Sequence, residues 1–382
     1  MDEHIKRIGI VAGEASGDLL GAHLVKALKE KLPDAEFIGM GGPKMTASGV
    51  VSLFPMEKIA VMGYVEVLKR YFQITSIRRK LIRHFKNNPP DLFIGVDAPD
   101  FNLDIERALK KRGIPTVHYV SPSIWAWRAN RIHKIRAACS RVLALFPFEK
   151  EIYDRNEVDC AYVGHPLADI LPDSPDRAGM RRSMKLPQKA KIFAFLPGSR
   201  QSELEYMADT FIRTAILLKE KWPDAVFLVP LASRETRTLF EEALYRNHAE
   251  DMGFSLLFGH AVDAMIASDI VLVASGTATL EAALLKRPMV ITYKMAPFTY
   301  WIKKRKKYQP YVGLPNILAG KFVVPELLQD DATPENLAHA LINMLQDEEI
   351  VGRLDALFSG MHRSLKQNTA QKAVESVLPY LA

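Results

Sequence analysis

The sequence predicts an α/β protein with two doubly wound parallel sheets, one in each half of the chain, facing one another. In both halves, short apolar runs rich in β-branched residues alternate with segments that have helical spacing. A stretch rich in proline and aspartate at 166–175 separates the two series, which indicates a linker between domains. A length of 382 residues is comfortable for two such domains.

The predicted strands share one pattern, a buried apolar run that ends in small or polar residues. In the first half they span Ile8 to Ala12, Phe37 to Gly41, Leu92 to Val96, Thr116 to Val120, Leu143 to Phe146 and Ala161 to Val163. In the second half they span Ile192 to Leu196, Val226 to Val229, Ser255 to Phe258, Ile270 to Ala274 and Val290 to Tyr293. From Pro334 onward only helices are predicted. Because open α/β sheets bind ligands beyond the carboxyl ends of their strands, the turns after these strands are the candidate sites.

Composition excludes several classes of protein. No apolar run approaches the roughly 20 residues that span a bilayer, and we expect no signal peptide because the charged N-terminus runs straight into a strand. Cys139 and Cys160 lie far from any CxxC spacing, which predicts two buried thiols and no disulfide framework. No metal-site spacing of histidine, cysteine and carboxylate is found, so no metal or cofactor is predicted.

The net charge of +7 favours an anionic partner. An anionic membrane surface or a phosphorylated substrate would meet this requirement. Nucleic acid would also do so, but no recognised nucleic-acid-binding module is present, and we therefore expect no nucleic-acid partner.

The clearest candidate for an anion site follows the strand at Ile270 to Ala274. Ser275, Gly276 and Thr277 form a small-residue turn, after which helical spacing begins. Strand, turn and helix in this order place backbone N–H groups and the positive end of a helix at the edge of a sheet, where phosphate or diphosphate binds. Glu281, one helical turn further on, is placed to accept hydrogen bonds from sugar hydroxyls. The alternative is a turn that binds nothing.

Two other turns have a similar composition. Gly198, Ser199 and Arg200 follow the strand at 192–196, and this combination favours contact with a diphosphate over a simple surface arginine. Ser16 and Gly17 lie in the turn after the first strand, which lacks both the G-x-G-x-x-G spacing of a dinucleotide site and the lysine of a P-loop. The first turn is therefore an anion site of low specificity.

Asp97 is the candidate general base. It follows the strand at 92–96, and Pro99 makes helical continuation difficult, so Asp97 should be exposed at the carboxyl end of the sheet. A general base must lie within hydrogen-bond reach of a substrate hydroxyl, and this position allows it. Asp100 is predicted instead to cap the helix that runs through Leu109.

Large aromatic residues and an arginine follow the strand at 116–120, in the segment 121–128. Ser121, Trp125 and Arg128 are candidates for binding, because tryptophans in a loop either cover the core or form the wall of a site. His165, at the end of a later strand, is interpreted as structural or substrate-orienting rather than catalytic.

Two segments combine aromatic residues with clustered cations. Val61 to Lys86 contains seven lysines and arginines, with one acid, Glu66, among its first apolar residues. Pro297 to Tyr311 contains a run of five cations beside aromatic residues. Both favour contact with an anionic membrane surface. The alternative for each is a solvated helix face.

Several segments, taken together, resemble the bacterial lipid-A-disaccharide synthases, glycosyltransferase family 19. They lie at 11–18, 95–102, 118–128, 196–200, 274–278 and 314–316, in order along essentially the whole chain. The resemblance implies the GT-B fold, with two Rossmann-like domains facing across a cleft. The expected N-terminal acceptor-lipid domain spans 1–167 and is completed by the C-terminal helix at about 362–382, and the UDP-sugar domain spans 168–361.

The resemblance implies an inverting transferase that needs no metal. It joins UDP-2,3-diacylglucosamine to 2,3-diacylglucosamine 1-phosphate, forming a β-1,6 disaccharide and UDP at the cytoplasmic face of the inner membrane. Asp97 matches the family's proposed base, and Arg200 and Asn316 match residues tied to activity or donor binding. Ser16, Glu66, Arg128 and Glu281 are carried over in the same way. Family members can also form homodimers that exchange C-terminal segments.

Two other functions fit the residues. A UDP-N-acetylglucosamine 2-epimerase has the same two-domain fold but a soluble substrate. A non-catalytic carrier of lipid or nucleotide would keep the anion sites and tolerate the loss of Asp97.

Overall fold

The structure, a computed structural model, describes residues 5–59, 64–125, 130–295 and 309–381, with the side chains of 64–70 outside the description. The chain forms two compact units. Unit 1 comprises Met1–Asp169 and Ser364–Ala382, and unit 2 comprises Ile170–Arg363. Each unit is described by itself below.

Unit 1 contains a seven-stranded parallel sheet in the order β3-β2-β1-β4-β5-β6-β7. Its strands are β1 Arg7–Ala12, β2 Glu36–Met40, β3 Val50–Ser52, β4 Leu92–Val96, β5 Thr116–Tyr119, β6 Arg141–Ala144 and β7 Cys160–Tyr162. Its helices are α1 Ala15–Lys31, α2 Pro43–Ala47, α3 Tyr64–Asn87, α4 Pro99–Lys110, α5 Arg131–Ala138 and α6 Pro147–Asp154. A short helix, α7 Pro166–Ile170, follows β7 where a continuous linker was predicted.

Unit 2 contains a six-stranded parallel sheet in the order β10-β9-β8-β11-β12-β13. Its strands are β8 Ile192–Leu196, β9 Val226–Leu231, β10 Phe254–Phe258, β11 Ile270–Ala274, β12 Met289–Tyr293 and β13 Glu326–Leu328. Its helices are α8 Arg177–Ser183, α9 Gln201–Lys221, α10 Arg234–Arg246, α11 Ala261–Ala267, α12 Thr277–Leu284, α13 Leu314–Ala319, α14 Pro334–Gln346 and most of α15 Glu348–Leu365.

The C-terminal helix belongs to unit 1. After α15, helix α16 Thr369–Val377 packs its apolar residues, among them Ala373 and Val377, into the same cluster as Leu24 and Leu28 of α1. The central strands β4 and β11 are buried along their whole length, as expected for parallel strands covered by helices on both faces. The prediction of two parallel α/β sheets is confirmed.

The differences from the sequence prediction lie at the sheet edges. Strands β3 and β13 were not predicted, because three residues give little periodic signal and neither strand is followed by a glycine of the kind that follows the equally short β7. Strand β6 begins two residues earlier than predicted, and β7 begins one residue earlier. Both cysteines are buried, as predicted. Within the described ranges, no helix combines the length and the apolar character needed to cross a bilayer.

Candidate functional site

Asp97 lies at the carboxyl end of β4, the strand at the centre of the unit 1 sheet. Its backbone is left-handed, with φ of 51°, and that of Ala98 is left-handed too, with φ of 42°. Its N–H donates to Tyr119 O at 2.8 Å, which joins the turn to β5. The Asp97 side chain is half-buried rather than fully exposed. Two successive non-glycine residues with positive φ are uncommon and store strain of the kind found at active sites.

Asn102 holds this turn and was not identified from the sequence. Its side chain is fully buried, and its amide Nδ2 lies 2.8 Å from Asp97 O, 3.1 Å from Val11 O and 3.3 Å from Val96 O. Donation to these carbonyls ties the ends of β1 and β4 to the Asp97 turn. The signal in the sequence was an asparagine on the buried face of an amphipathic helix.

The prediction that Asp100 caps helix α4 is wrong. The capping position is taken by Ala98, and Asp100 lies in the first helical turn, where its carboxylate accepts a hydrogen bond from Arg131. The reason is that the left-handed turn begins the helix at Pro99, a favoured first position.

The turn after β1 approaches the Asp97 turn closely. A Cβ atom at Gly13 would lie 2.7 Å from the Ala98 Cβ, and one at Gly17 would lie 3.3 Å from Val96 O. Gly17 is buried, whereas Ser16 is exposed beside it. Both lie in the first turn of α1, which begins earlier than the sequence indicated. Glycine at 13 and 17 therefore allows the N-terminus of α1, with Ser16, to lie at the same edge as Asp97.

Ser121 and Trp125, after β5, face inward onto one buried carboxylate network. The Ser121 hydroxyl is 2.9 Å from the Tyr153 hydroxyl, and Trp125 Nε1 donates to Glu149 Oε1 at 3.0 Å. The half-buried Trp125 ring also packs edge-on against Phe148, at 5.4 Å between centroids. Burial raises the pKa of Glu149 to about 7, although donors including the Phe146 amide and the Trp125 indole oppose the rise.

Three other residues of unit 1 complete the set of candidates. Arg128 lies outside the described residues. Glu66 lies in helix α3, where the structure describes its backbone and not its side chain. His165 is buried, and burial lowers its pKa to about 4, so it is neutral at neutral pH.

In unit 2, the turn of Gly198, Ser199 and Arg200 is held by Glu203, which was not predicted. The amides of Ser199 and Arg200 donate to Glu203 Oε2 at 2.9 and 3.2 Å. These donors are therefore occupied by the protein's own carboxylate. The Arg200 side chain is more than half exposed, with its guanidinium 3.6 Å from Glu203 Oε1. Gly198 has φ of 125°, and a Cβ there would meet the Glu203 side chain at 2.6 Å.

The turn of Ser275, Gly276 and Thr277 joins β11 to α12, as predicted. Gly276 and Thr277 are exposed, and Gly276 has φ of 144° and caps the helix. The amide of Thr279 donates to Gly276 O at 3.1 Å, whereas those of Thr277 and Ala278, at the start of the helix, precede any intrahelical acceptor and can meet an anion. Glu281 lies in the same helix, and partial burial raises the pKa of its carboxyl.

Asn316, by contrast, is fully buried and points into the protein. Its amide nitrogen donates to Val324 O and to Glu326 Oε1, both at 2.9 Å. Its oxygen accepts from the amides of Val323 at 2.7 Å and Val324 at 3.0 Å. These four hydrogen bonds use the full capacity of the amide group, two N–H donors and two lone pairs.

One cluster with possible metal ligands was not predicted, because its residues are distant in sequence. Glu106, His118 and Cys139 are all buried together beneath the unit 1 sheet. The Glu106 carboxylate is 2.7 Å from His118 Nδ1 and accepts from the Cys139 thiol at 3.3 Å. Burial raises the pKa of that thiol, so it stays protonated. The three side chains form an internal hydrogen-bond network, for which Gly95 leaves room, since a Cβ there would lie 2.1 Å from Glu106 Oε1.

Comparison with known proteins identifies the family to which this chain belongs. A family model described as lipid-A-disaccharide synthetase matches residues 8–377. The lipid-A-disaccharide synthase of Dechloromonas aromatica is 58% identical over 98% of this chain and 98% of its own length. That of Aeromonas hydrophila is 48% identical, with the same coverage of both chains. The chain belongs to the lipid-A-disaccharide synthase family.

Solved structures place the fold of this lipid-A-disaccharide synthase family member among GT-B proteins. A UDP-GlcNAc 2-epimerase of Neisseria meningitidis has a TM-score of 0.63 and 14% identity, covering 98% of this chain and all of that one. MurG of Acinetobacter baumannii has a TM-score of 0.58 and 14% identity, covering 98% of this chain and 99% of that one. These likenesses concern the fold alone.

Membership of the family settles the class of reaction. The chain is a glycosyltransferase that makes the lipid A disaccharide in lipid A biosynthesis, using a UDP-sugar and a lipid acceptor. The epimerase alternative is not favoured, because the epimerases share only the fold, whereas the synthases share about half of the sequence.

Proposed function

We propose that the chain transfers the sugar of UDP-2,3-diacylglucosamine to the 6-hydroxyl of 2,3-diacylglucosamine 1-phosphate, with Asp97 as the general base. Asp97 takes the hydroxyl proton while the oxygen attacks the anomeric carbon of the donor. The bond to UDP breaks on the opposite face, so the configuration inverts and a β-1,6 bond forms. The position of Asp97, a carboxylate at the end of the central strand in a strained turn, carries this proposal.

The leaving UDP needs positive charge and hydrogen-bond donors. We assign these roles to the Arg200 guanidinium and to the amides of Thr277 and Ala278, where the turn of Ser275, Gly276 and Thr277 begins α12. Glu281 would accept hydrogen bonds from sugar hydroxyls of the donor. Because Glu203 occupies the amides of Ser199 and Arg200, the Gly198 turn contributes the exposed arginine side chain rather than its backbone.

The acceptor side of the site would use Ser16 and Gly17, which approach the Asp97 turn. Ser121 and Trp125 shape the same edge of the unit 1 sheet through the Glu149 network. Glu66 and Arg128 are assigned to acceptor binding by their match to the family alone.

The test is a detergent-micelle assay with the two lipid substrates and a chelator. Wild-type protein should release UDP and form the disaccharide 1-phosphate at a rate that the chelator leaves unchanged. UDP-N-acetylglucosamine offered without lipid should give no UDP. Release of UDP from this soluble sugar, with no disaccharide from the lipids, would overturn the substrate assignment.

We also propose that the protein contacts the inner face of the inner membrane, and exposed residues of helix α3 support this proposal. Its later turns pack Ile77, Leu81 and Phe85 into the core, as the alternative of a surface helix predicted. Earlier in the helix, however, the side chains of Tyr71 and Phe72 are 54% and 84% exposed. Aromatic residues that remain exposed near clustered cations are typical of an interfacial helix.

Sedimentation with phosphatidylglycerol vesicles tests this contact. Phe72→Ser should reduce the bound fraction severalfold, because the aromatic ring supplies the apolar part of the contact. Tyr245→Ser, which changes an aromatic residue that is 73% exposed in unit 2, is the matched control and should bind like wild type. Equal binding of wild type and Phe72→Ser would contradict the assignment.

A further inference from the structure

Asn316 matches a residue that its family ties to activity, yet its amide group is turned away from solvent. The donors on its nitrogen meet Val324 O and Glu326 Oε1, and its oxygen accepts two backbone amides. The residue is 0% exposed. A side chain in this position affects a bound ligand indirectly, through the backbone and side-chain groups that it orients.

Asn316 and Glu326 together hold the segment 312–314. Glu326 lies on the edge strand β13, and its Oε1 accepts from the amides of Val312 at 3.0 Å and Gly313 at 2.8 Å. Its Oε2 also accepts from Val312, at 2.9 Å. Glycine at 313 leaves room for its neighbours, because a Cβ there would lie 2.1 Å from the Ile291 side chain and 3.3 Å from Glu326 Oε1.

The segment 312–314 in turn contacts the turn before α12. The amide of Leu314 donates to the Thr279 hydroxyl at 3.2 Å, and that hydroxyl donates to Gly276 O at 2.8 Å. Thr279 is buried. Hydrogen bonds, joined by the backbone between Gly313 and Leu314, therefore connect Glu326 on the sheet edge to the carbonyl of Gly276.

We infer that Glu326 is a positioning residue for the donor turn, and that Asn316 acts with it rather than on the ligand. The pair holds the backbone of 312–314 in place. Through the Leu314 amide, this segment orients the Thr279 hydroxyl, and the hydroxyl orients the Gly276 peptide and the amides that follow it. The diphosphate of a UDP-sugar meets those amides. This inference rests on the proposed donor site at Ser275, Gly276 and Thr277.

A double-mutant cycle on Asn316 and Glu326 tests the inference, with UDP affinity measured by titration calorimetry on the full chain. Asn316→Asp places an acceptor against two acceptors, Val324 O and Glu326 Oε1, and should weaken UDP binding by about tenfold or more. Glu326→Gln keeps one oxygen for the amides of Val312 and Gly313, so its effect should stay within about threefold.

The double variant decides between positioning and direct contact. In Asn316→Asp with Glu326→Gln, the oxygen of the introduced amide still faces the amides of Val312 and Gly313, and the repulsion between two carboxylates is gone. UDP affinity should therefore recover by at least about threefold over Asn316→Asp alone, so that the effects are not additive. If Asn316 contacted the ligand itself, Glu326→Gln would give no recovery, and the inference would be overturned.

Thr279 provides a second test that does not depend on the stability of the first variants. Thr279→Val removes the hydroxyl with little change of shape and should weaken UDP binding severalfold, whereas Thr279→Ser keeps the hydroxyl and should bind like wild type. Wild-type affinity in Thr279→Val would contradict the path through this hydroxyl.

The outcomes also separate this inference from the donor site on which it rests. Urea unfolding gives the folded fraction of each variant at the titration temperature, and a variant that is less stable but still almost fully folded keeps the wild-type dissociation constant. A wild-type protein that fails to bind UDP would overturn the donor site and this inference with it. An additive cycle in a protein that binds UDP would overturn only the positioning role.

Discussion

The two sheet edges reach similar backbone geometry by different means. In the unit 1 turn that we assign to the base, positive φ angles fall on Asp97 and Ala98, which have side chains. In the two unit 2 turns that we assign to the donor they fall on Gly198 and Gly276, although His260 and Gln329, after other strands of that sheet, also have positive φ. A non-glycine residue in this region costs on the order of 1–3 kcal/mol, whereas glycine adopts it freely.

The difference follows from what each edge contributes. Under our proposal Asp97 is the general base, which needs a carboxylate, so its position cannot be given to glycine; the buried hydrogen bonds of Asn102 offset the strain. In the proposed donor site, Gly276 leaves the amides that follow it accessible to a diphosphate, whereas Gly198 leaves room for the Glu203 side chain. Unit 1 should therefore be sensitive to changes in its buried polar groups, and unit 2 to changes in its glycine turns.

The largest expected effect separates the two edges directly. Asp97→Asn removes the base and should lower the rate of disaccharide formation by at least about a hundredfold, the usual contribution of a general base. UDP affinity, which we assign to unit 2, should be unchanged. Turnover in micelles and calorimetry with UDP measure the two quantities.

Asp100→Asn is the matched control for this variant. It makes the same change three residues away, on a carboxylate that is 76% exposed and paired with Arg131, and its rate should stay within about threefold of wild type. Equal losses in both variants would show that the turn, not the Asp97 carboxylate, is what the substitution damages.

The second prediction concerns the pH dependence of unit 1. The pKa of Glu149 is raised from 4.5 to about 7, so the unfolded state ionises first as pH rises. Stability from this group is fully present below pH 4.5 and is lost as pH rises to about 7. Glu149→Gln cannot ionise and should remove a decrease on the order of 3 kcal/mol over that range, measured by urea unfolding.

Glu151→Gln, on the same helix, is the control. Its carboxylate is 68% exposed beside Arg155, so the substitution should leave the pH profile of wild type unchanged. A profile for Glu149→Gln that parallels wild type between pH 4.5 and pH 7 would contradict the burial of an ionisable group at this position.

The third prediction tests the support of the Asp97 turn. Asn102→Ala removes the donor to Asp97 O, Val11 O and Val96 O. Misplacement of the carboxylate should lower kcat by roughly ten- to a hundredfold, with little change in UDP affinity. Because the variant is also less stable, rates are compared per folded molecule after a urea-unfolding measurement. A wild-type kcat would show that the Asp97 turn keeps its conformation without the hydrogen bonds of Asn102.

The sequence was most informative where local pattern decides structure. Strands buried on both faces and the turns after them, including those at Asp97 and Gly276, were predicted from apolar runs and small residues. The order of the strands within each sheet could not be predicted, since periodicity does not encode which strands pair.

Residues that support the site were missed for two reasons. Glu326 lies on an edge strand that was not predicted and contacts the backbone of 312–313, so nothing local marks it, and Asn316 was identified only through the family resemblance. Asn102 and Glu203, in contrast, carried a signal. Glu203 stands at the third position of its helix, the place of a capping-box acid, and this spacing would have shown that the amides of the Gly198 turn are occupied.

The smallest expected effect tests the glycine turn of unit 2. A Cβ at Gly276 would meet nothing within 4 Å, so Gly276→Ala adds backbone strain at φ of 144° without a clash. We expect a loss of about 1–3 kcal/mol in stability, or rotation of the peptide that weakens UDP binding. Urea unfolding and calorimetry with UDP distinguish these results.

Gly360→Ala is the control, because Gly360 lies in helix α15 and a Cβ there also meets nothing within 4 Å. Alanine should stabilise that helix by about 0.5–1 kcal/mol and leave UDP affinity unchanged. The two substitutions add the same methyl group to open space, so opposite signs would isolate backbone conformation as the cause. If Gly276→Ala matched wild type in both stability and UDP affinity, the turn would not need glycine, and the contrast between the two edges would fail.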